Sequence, residues 1–227
     1  MWQQLVEDLA GEDFTVIAVA LDSEPGAAEP WIEAASPTYP VLIDRTHVLA
    51  DLFGIINVPT AVWIDEDERI VRPAEVAGAY ESFRHVDADL GRVPDADIDH
   101  AKQMRLTYLE AIKDWAARGP ESEHALSTAE IRERQASFDP DITEAHARFR
   151  LGQHLEAADD PSGARTQFDE ASRLHPESWA IWRQTSDKLE NGIAAGPAFA
   201  ARVAALGERR YYPPPEMAGI SEAPTTS

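Results

Sequence analysis

The sequence predicts an α/β segment over about its first 90 residues, followed by an all-helical region. Three observations predict this. Short apolar, β-branched runs at 14–21, 39–44 and 55–65 alternate with stretches of helical spacing. Strand signals vanish beyond about residue 80. From there apolar residues recur at three- and four-residue intervals between prolines and polar caps.

The elements follow in order. Residues 2–10 place Trp2, Leu5, Val6 and Leu9 on one helical face, and Gly11 ends the turn. The run 14–21 is continuously apolar, as expected of a strand covered on both faces. Pro30 opens a short helix to Ala35, and 39–44 is a second strand. Thr46 is placed to cap a helix over 47–53, which Gly54 ends. The run 55–65 is a third strand, and the acidic turn Asp65-Glu66-Asp67-Glu68 returns the chain as a hairpin strand over 69–72, which Pro73 is expected to stop. Residues 87–99, acidic and containing Pro94, read as a linker.

Downstream, 97–118 aligns Ile98, Ala101, Tyr108, Leu109, Ile112 and Trp115 along one face. A helix over 127–136 opens with Ser127-Thr128-Ala129-Glu130, the spacing of a capping box. Further helices are expected at 142–158, 161–174, 176–189 and 197–206. Tyr211-Tyr212-Pro213-Pro214-Pro215 and the Ser/Thr/Pro end read as an extended, mobile tail. The expected divisions are 1–90, 96–208 and a tail over 209–227.

Composition removes several function classes. The 41 Asp+Glu against 20 Lys+Arg leave a formal net charge of −21, which opposes binding to nucleic acid or to an anionic membrane. No apolar run is long enough to cross a bilayer. The cysteine count is zero, so this chain has no thiol nucleophile, disulfide or thiolate metal site of its own. No Walker loop, dinucleotide fingerprint or Gly-x-Ser-x-Gly is present. The seven histidines lie at spacings that do not converge on one ion, so they read as surface or cap residues, and no cofactor is expected. Asp65 and Asp67 read as a solvated turn, and the six tryptophans as core.

The order strand, helix, strand, helix, then an apolar strand reached through Val58-Pro59-Thr60 and closed by a hairpin, resembles the thioredoxin fold. It is most similar to the TlpA/ResA type of thiol–disulfide oxidoreductase. The residues that carry the resemblance are 16–22 (Val-Ile-Ala-Val-Ala-Leu-Asp), 39–44, Leu52-Phe53-Gly54, Val58-Pro59-Thr60, 61–65 and Arg69-Ile70-Val71. They span about residues 1–80. The resemblance implies a cis Pro59, with the backbone of Val58 and Thr60 pairing with a substrate peptide. It also implies a strand ending in Trp-Cys-x-x-Cys directly ahead of the first helix, which here begins at Met1. A late start or truncation is therefore expected, with strand and dithiol encoded upstream. The missing strand belongs between 16–21 and 61–64, and its absence leaves edges that invite other strands, a second copy included.

A second resemblance is to a tetratricopeptide repeat. Leu151, Gly152, Ala164, Phe168, Ala171 and Pro176 fall at that repeat's packing positions over about 145–178. The expected architecture is thus an incomplete thioredoxin-like fold with a C-terminal all-α, tetratricopeptide-like region. The expected function is that of a redoxin relative whose catalytic dithiol is absent from this chain and which binds protein partners. The alternative is a redox-inactive interaction adaptor. As given, the sequence carries no targeting segment and reads as cytoplasmic, or extracytoplasmic if the true N-terminus lies upstream.

Overall fold

In the computed structural model, which describes residues 1–86, 91–134, 139–186, 188–189 and 193–220, four strands and nine α-helices are laid out in chain order. These are α1 (Trp2–Asp8), β1 (Ala18–Ala20), α2 (Glu29–Ala35), β2 (Val41–Ile43), α3 (Val48–Phe53), β3 (Thr60–Ile64), β4 (Ile70–Val76), α4 (Asp95–Arg118), α5 (Thr128–Arg134), α6 (Pro140–Ala157), α7 (Pro161–Leu174), α8 (Trp179–Thr185) and α9 (Pro197–Ala204). The start of the expected linker, the end of the helix expected over 127–136, part of 176–189 and the last seven residues of the tail lie outside the described residues. Among those described, the strands form two separate two-stranded sheets, parallel β1–β2 and antiparallel β3–β4. The chain divides into two compact units, each assembled from three segments.

The first unit comprises Met1–Val6, Thr15–Val58 and Ala136–Ala205. Its sheet registers Ala18 on Val41, Val19 on Leu42 and Ala20 on Ile43. The strands are shorter than the apolar runs; Leu42 of β2 is 53% exposed, and Ile17, in the run ahead of β1, is 58% exposed. Thr46 does not cap α3. The Asp44 carboxylate does, accepting from the amides of Val48 at 3.0 Å and Leu49 at 2.7 Å, while His47 takes a left-handed φ of 56°. Gly54 closes α3 in the left-handed conformation, as its position predicts.

Helices α6 and α7 form a hairpin whose starts are fixed locally. Asp139 accepts from the Asp141 amide and Asp160 from the Gly163 amide, each at 2.9 Å and each followed by proline. A Cβ on Gly163 would stand 2.3 Å from the Asp160 carboxylate, so the cap requires glycine there. The hairpin core is Ala145, Phe149, Ala164, Phe168, Ala171 and Ile181. The hairpin is tied to the α/β part of the unit by the Arg150–Asp51 ion pair at 2.7 Å and by Gln153, which donates to Ser23 Oγ and Arg45 O. On α8 and α9, Trp179, Trp182 and Phe199 cluster, and the Arg202 guanidinium lies over both indoles at 4.8 and 5.2 Å.

The second unit comprises Glu7–Phe14, Pro59–Gln135 and Leu206–Ser227. Its hairpin turn forms as expected, with Asp65 Oδ1 accepting from the amides of Asp67 and Arg69. Pro73 does not stop β4, which continues to Val76. The register shifts between Ala61 and Trp63 and again between Trp63 and Ile64, so the strand absorbs a residue that cannot donate to a regular ladder.

Buried Trp63 donates to the Tyr108 hydroxyl of α4 at 2.9 Å and stacks on Trp115 at 5.1 Å. Gly78, at φ +65°, lets the backbone approach α4, where a Cβ would come within 3.0 Å of Tyr108 and 3.1 Å of the Arg105 backbone. The capping box at α5 forms in both directions between Ser127 and Glu130. Residues 209–220 carry no helix or strand but are not a loose tail: Tyr211 is 2% and Met217 8% exposed. Two buried charges hold this segment. The Glu81 carboxylate takes the Tyr211 amide, Arg210 and Arg84. Arg72 pairs bidentately with Glu75 and donates to the carbonyls of His124 and Glu216.

Two further expectations are corrected here. Trp31 is not core but 64% exposed on α2, and Ile98 on α4 is 52% exposed. Neither faces an element that covers it, so helical spacing alone overstated their burial.

Candidate functional site

The approach to β3 is built by a short irregular segment after α3. Asn57 is buried, and its side-chain Oδ1 accepts from the Val58 amide at 2.9 Å, which turns the chain into the strand. Val58 is 38% exposed. The Pro59 carbonyl accepts from the Ala77 amide at 3.2 Å, and Thr60 registers on Val76 at the open end of the hairpin. Val58, Pro59 and Thr60 thus stand consecutively at one end of a two-stranded sheet. Beyond Thr60, Ala61 to Ile64 have their ladder with β4 on one side, and among the described residues no second strand pairs with the other. The same holds for Ala18–Ala20, which pairs only with β2.

The residues expected at repeat packing positions divide. Gly152, Ala164, Phe168 and Ala171 come together: a Cβ on Gly152 would lie 2.5 Å from the Phe168 ring, and Ala164 and Ala171 are buried to 2% and 0% exposure. Leu151 and Pro176 do not join them. Leu151 is 44% exposed, and Pro176 is exposed and precedes the start of α8, where Ser178 accepts from the Ile181 amide as the cap. Ala145, Phe149 and Ile181 complete the core instead. The first two carry a signal that was present in the sequence, since Ala145, Phe149 and Gly152 recur at intervals of four and three.

The histidines also divide. His47, His146 and His175 are buried, 1%, 4% and 7% exposed, and so are not surface residues, although His47 and His175 do hold the N-cap position of α3 and the C-cap position of α7. Burial holds all three below the ordinary imidazole value, His47 to about 4. His154 is exposed. Burial likewise raises the Tyr108 hydroxyl, so it stays protonated as the acceptor of the Trp63 bond. Among the described residues no group of three or more His, Asp or Glu side chains is arranged to hold a metal ion. No helix among them is long and apolar enough to cross a membrane.

With this geometry in view, comparison with known proteins shows that the AhpC/TSA family model matches residues 1–72. No curated protein and no solved structure matches the chain. The matched segment runs from α1 through β3 to the start of β4, so the N-terminal part is thioredoxin-like, followed by a mostly helical C-terminal part. The family's thiol chemistry has no cysteine to act through in this chain.

Proposed function

We propose that this chain is a redoxin-type scaffold that accepts an extended polypeptide strand, its catalytic dithiol being supplied on that strand rather than by residues 1–227. The carrying observation is the open edge of β3 at residues 61–64 in the second unit, laddered on one side alone among the described residues. Unpaired edges of apolar strands recruit another strand through their free main-chain groups. Val58-Pro59-Thr60 is the segment that then meets a substrate peptide. This supports a TlpA-like arrangement in which thiols carried on the added strand exchange disulfides with a bound protein. The α6–α7 hairpin, in this reading a single tetratricopeptide-like unit, adds a docking surface for protein partners.

The second reading is an adaptor that binds the strand and does no thiol chemistry; it is favoured by the absence of cysteine from the whole sequence. Adding a synthetic apolar strand peptide that ends in Trp-Cys-x-x-Cys separates the two. The first reading expects slowed amide exchange at 61–64 together with dithiol-dependent insulin reduction. Slowed exchange without turnover selects the adaptor. Unchanged exchange at 61–64 rejects strand addition altogether.

A further inference from the structure

Within the first unit three buried imidazoles stand between α3 and the α6–α7 hairpin, a place where a packed core ordinarily holds apolar side chains. His47 leads into α3, and its ring lies 4.9 Å from that of Phe149 on α6. His146 lies one turn before Phe149, with Nε2 4.0 Å from the Asp51 carboxylate of α3. His175, at the end of α7, has its ring 6.0 Å from that of His146. Two of the buried nitrogens, His47 Nε2 and His146 Nδ1, have no hydrogen-bond partner.

The charges facing this cluster leave little to stabilise a proton on it. Asp44 lies near His47, but its two oxygens already cap α3. Asp51 faces His146 and is already paired with Arg150 at 2.7 Å, and Arg150 itself opposes charge on His146. Glu177 and Asp139 favour charge on His175, while His146 opposes it. His47 and His146 also oppose one another. Each imidazole is therefore neutral in the closed packing. A proton on any of them would be a buried cation with at best a contested partner.

We propose that His47, His146 and His175 form an acid-operated latch: at neutral pH they pack α3 against the α6–α7 hairpin, and their protonation opens that contact. The latch has a direct route to the segment discussed above, because the chain leaving α3 passes through Ile56, whose carbonyl accepts from the Ala180 amide of α8 at 2.9 Å, into Val58. The sign follows from linkage. The open state binds protons near the ordinary histidine value of about 6.5 while the closed state does not, so closure is complete above about pH 6.5 and is lost as pH falls toward 4. Each imidazole that must gain a proton on opening raises the open-to-closed ratio about tenfold per pH unit in that window.

Hydrogen exchange of the full chain at pH 7.5 and 5.0, corrected for intrinsic rates, is the test. Peptides covering 44–56 and 140–175 are expected to open at least about a hundredfold more at pH 5.0, consistent with two or more linked protons, while 60–76 in the second unit serves as the internal reference. The H146L/H175L variant should lose most of this difference. Imidazole NMR of the unsubstituted chain decides independently of whether that variant folds: three of the seven histidines should stay neutral until the opening transition and then protonate together with it. Equal opening at the two pH values, or His47 and His146 titrating near 6.5 with the helices still closed, would overturn the latch.

Discussion

At the scale of single residues, the hairpin core depends on Gly152, because the ring of Phe168 occupies the space where a side chain would start. Gly152→Ala is expected to cost about 1–3 kcal/mol through overpacking, read as a lower urea midpoint at unchanged slope. Leu151→Ala, one position away and 44% exposed, should stay within about 0.5 kcal/mol of the parent. Spacing identified both residues but could not separate them, since the angle of the neighbouring helix decides which of two adjacent positions is covered. The histidines were misread for a related reason. Polarity assigns His47, His146 and His175 to surface or cap positions; His47 and His175 do sit at caps, but the burial of all three comes from segments distant in sequence meeting within one unit. Pattern at short range carries no record of such a meeting.

At the scale of elements, local chemistry was legible wherever the signal and its partner lie within a few residues. The capping box at α5 is such a case, with the Ser127 and Glu130 side chains bonding to each other's amides. Ser127→Ala is expected to lower stability by about 0.5–2 kcal/mol, measured by thermal or chemical denaturation. For α3 the cap was assigned to the wrong residue. Thr46 is adjacent, but Asp44 reaches over the intervening turn to satisfy two amides, so Asp44→Ala should cost about as much as a lost N-cap while Thr46→Ala costs little. The strands were found by their apolar runs and drawn too long, because a run reports burial and not hydrogen bonding. The continuation of β4 through Pro73 was invisible for the converse reason: the register shift that accommodates the proline is a property of the pair of strands and not of either one.

At the scale of the whole molecule, charge is the property that composition alone supplies. A net −21 repels itself, so raising sodium chloride from about 0.05 to 0.5 M should raise the melting temperature by a few degrees, about 2–5 °C. An unchanged or lower melting temperature would mean that the local ion pairs, Arg150–Asp51 and Arg72–Glu75 among them, outweigh the global repulsion. The thioredoxin-like class of the N-terminal part was readable because its element order and its Val-Pro-Thr segment are local in sequence, and the family match over 1–72 falls on the same residues.

The threading of the backbone was not readable. The chain passes from one unit to the other five times, and the last piece of the second unit begins only at Leu206. On a ribosome, then, Arg72 and Glu81 are made long before the Glu216 carbonyl and the Tyr211 amide that will satisfy them. Through most of translation each has only its earlier partners, Glu75 and the His124 carbonyl for Arg72 and Arg84 for Glu81. Any nascent chain released before about residue 217 leaves Arg72 without the Glu216 carbonyl, so the last segment of the second unit is completed only as synthesis ends.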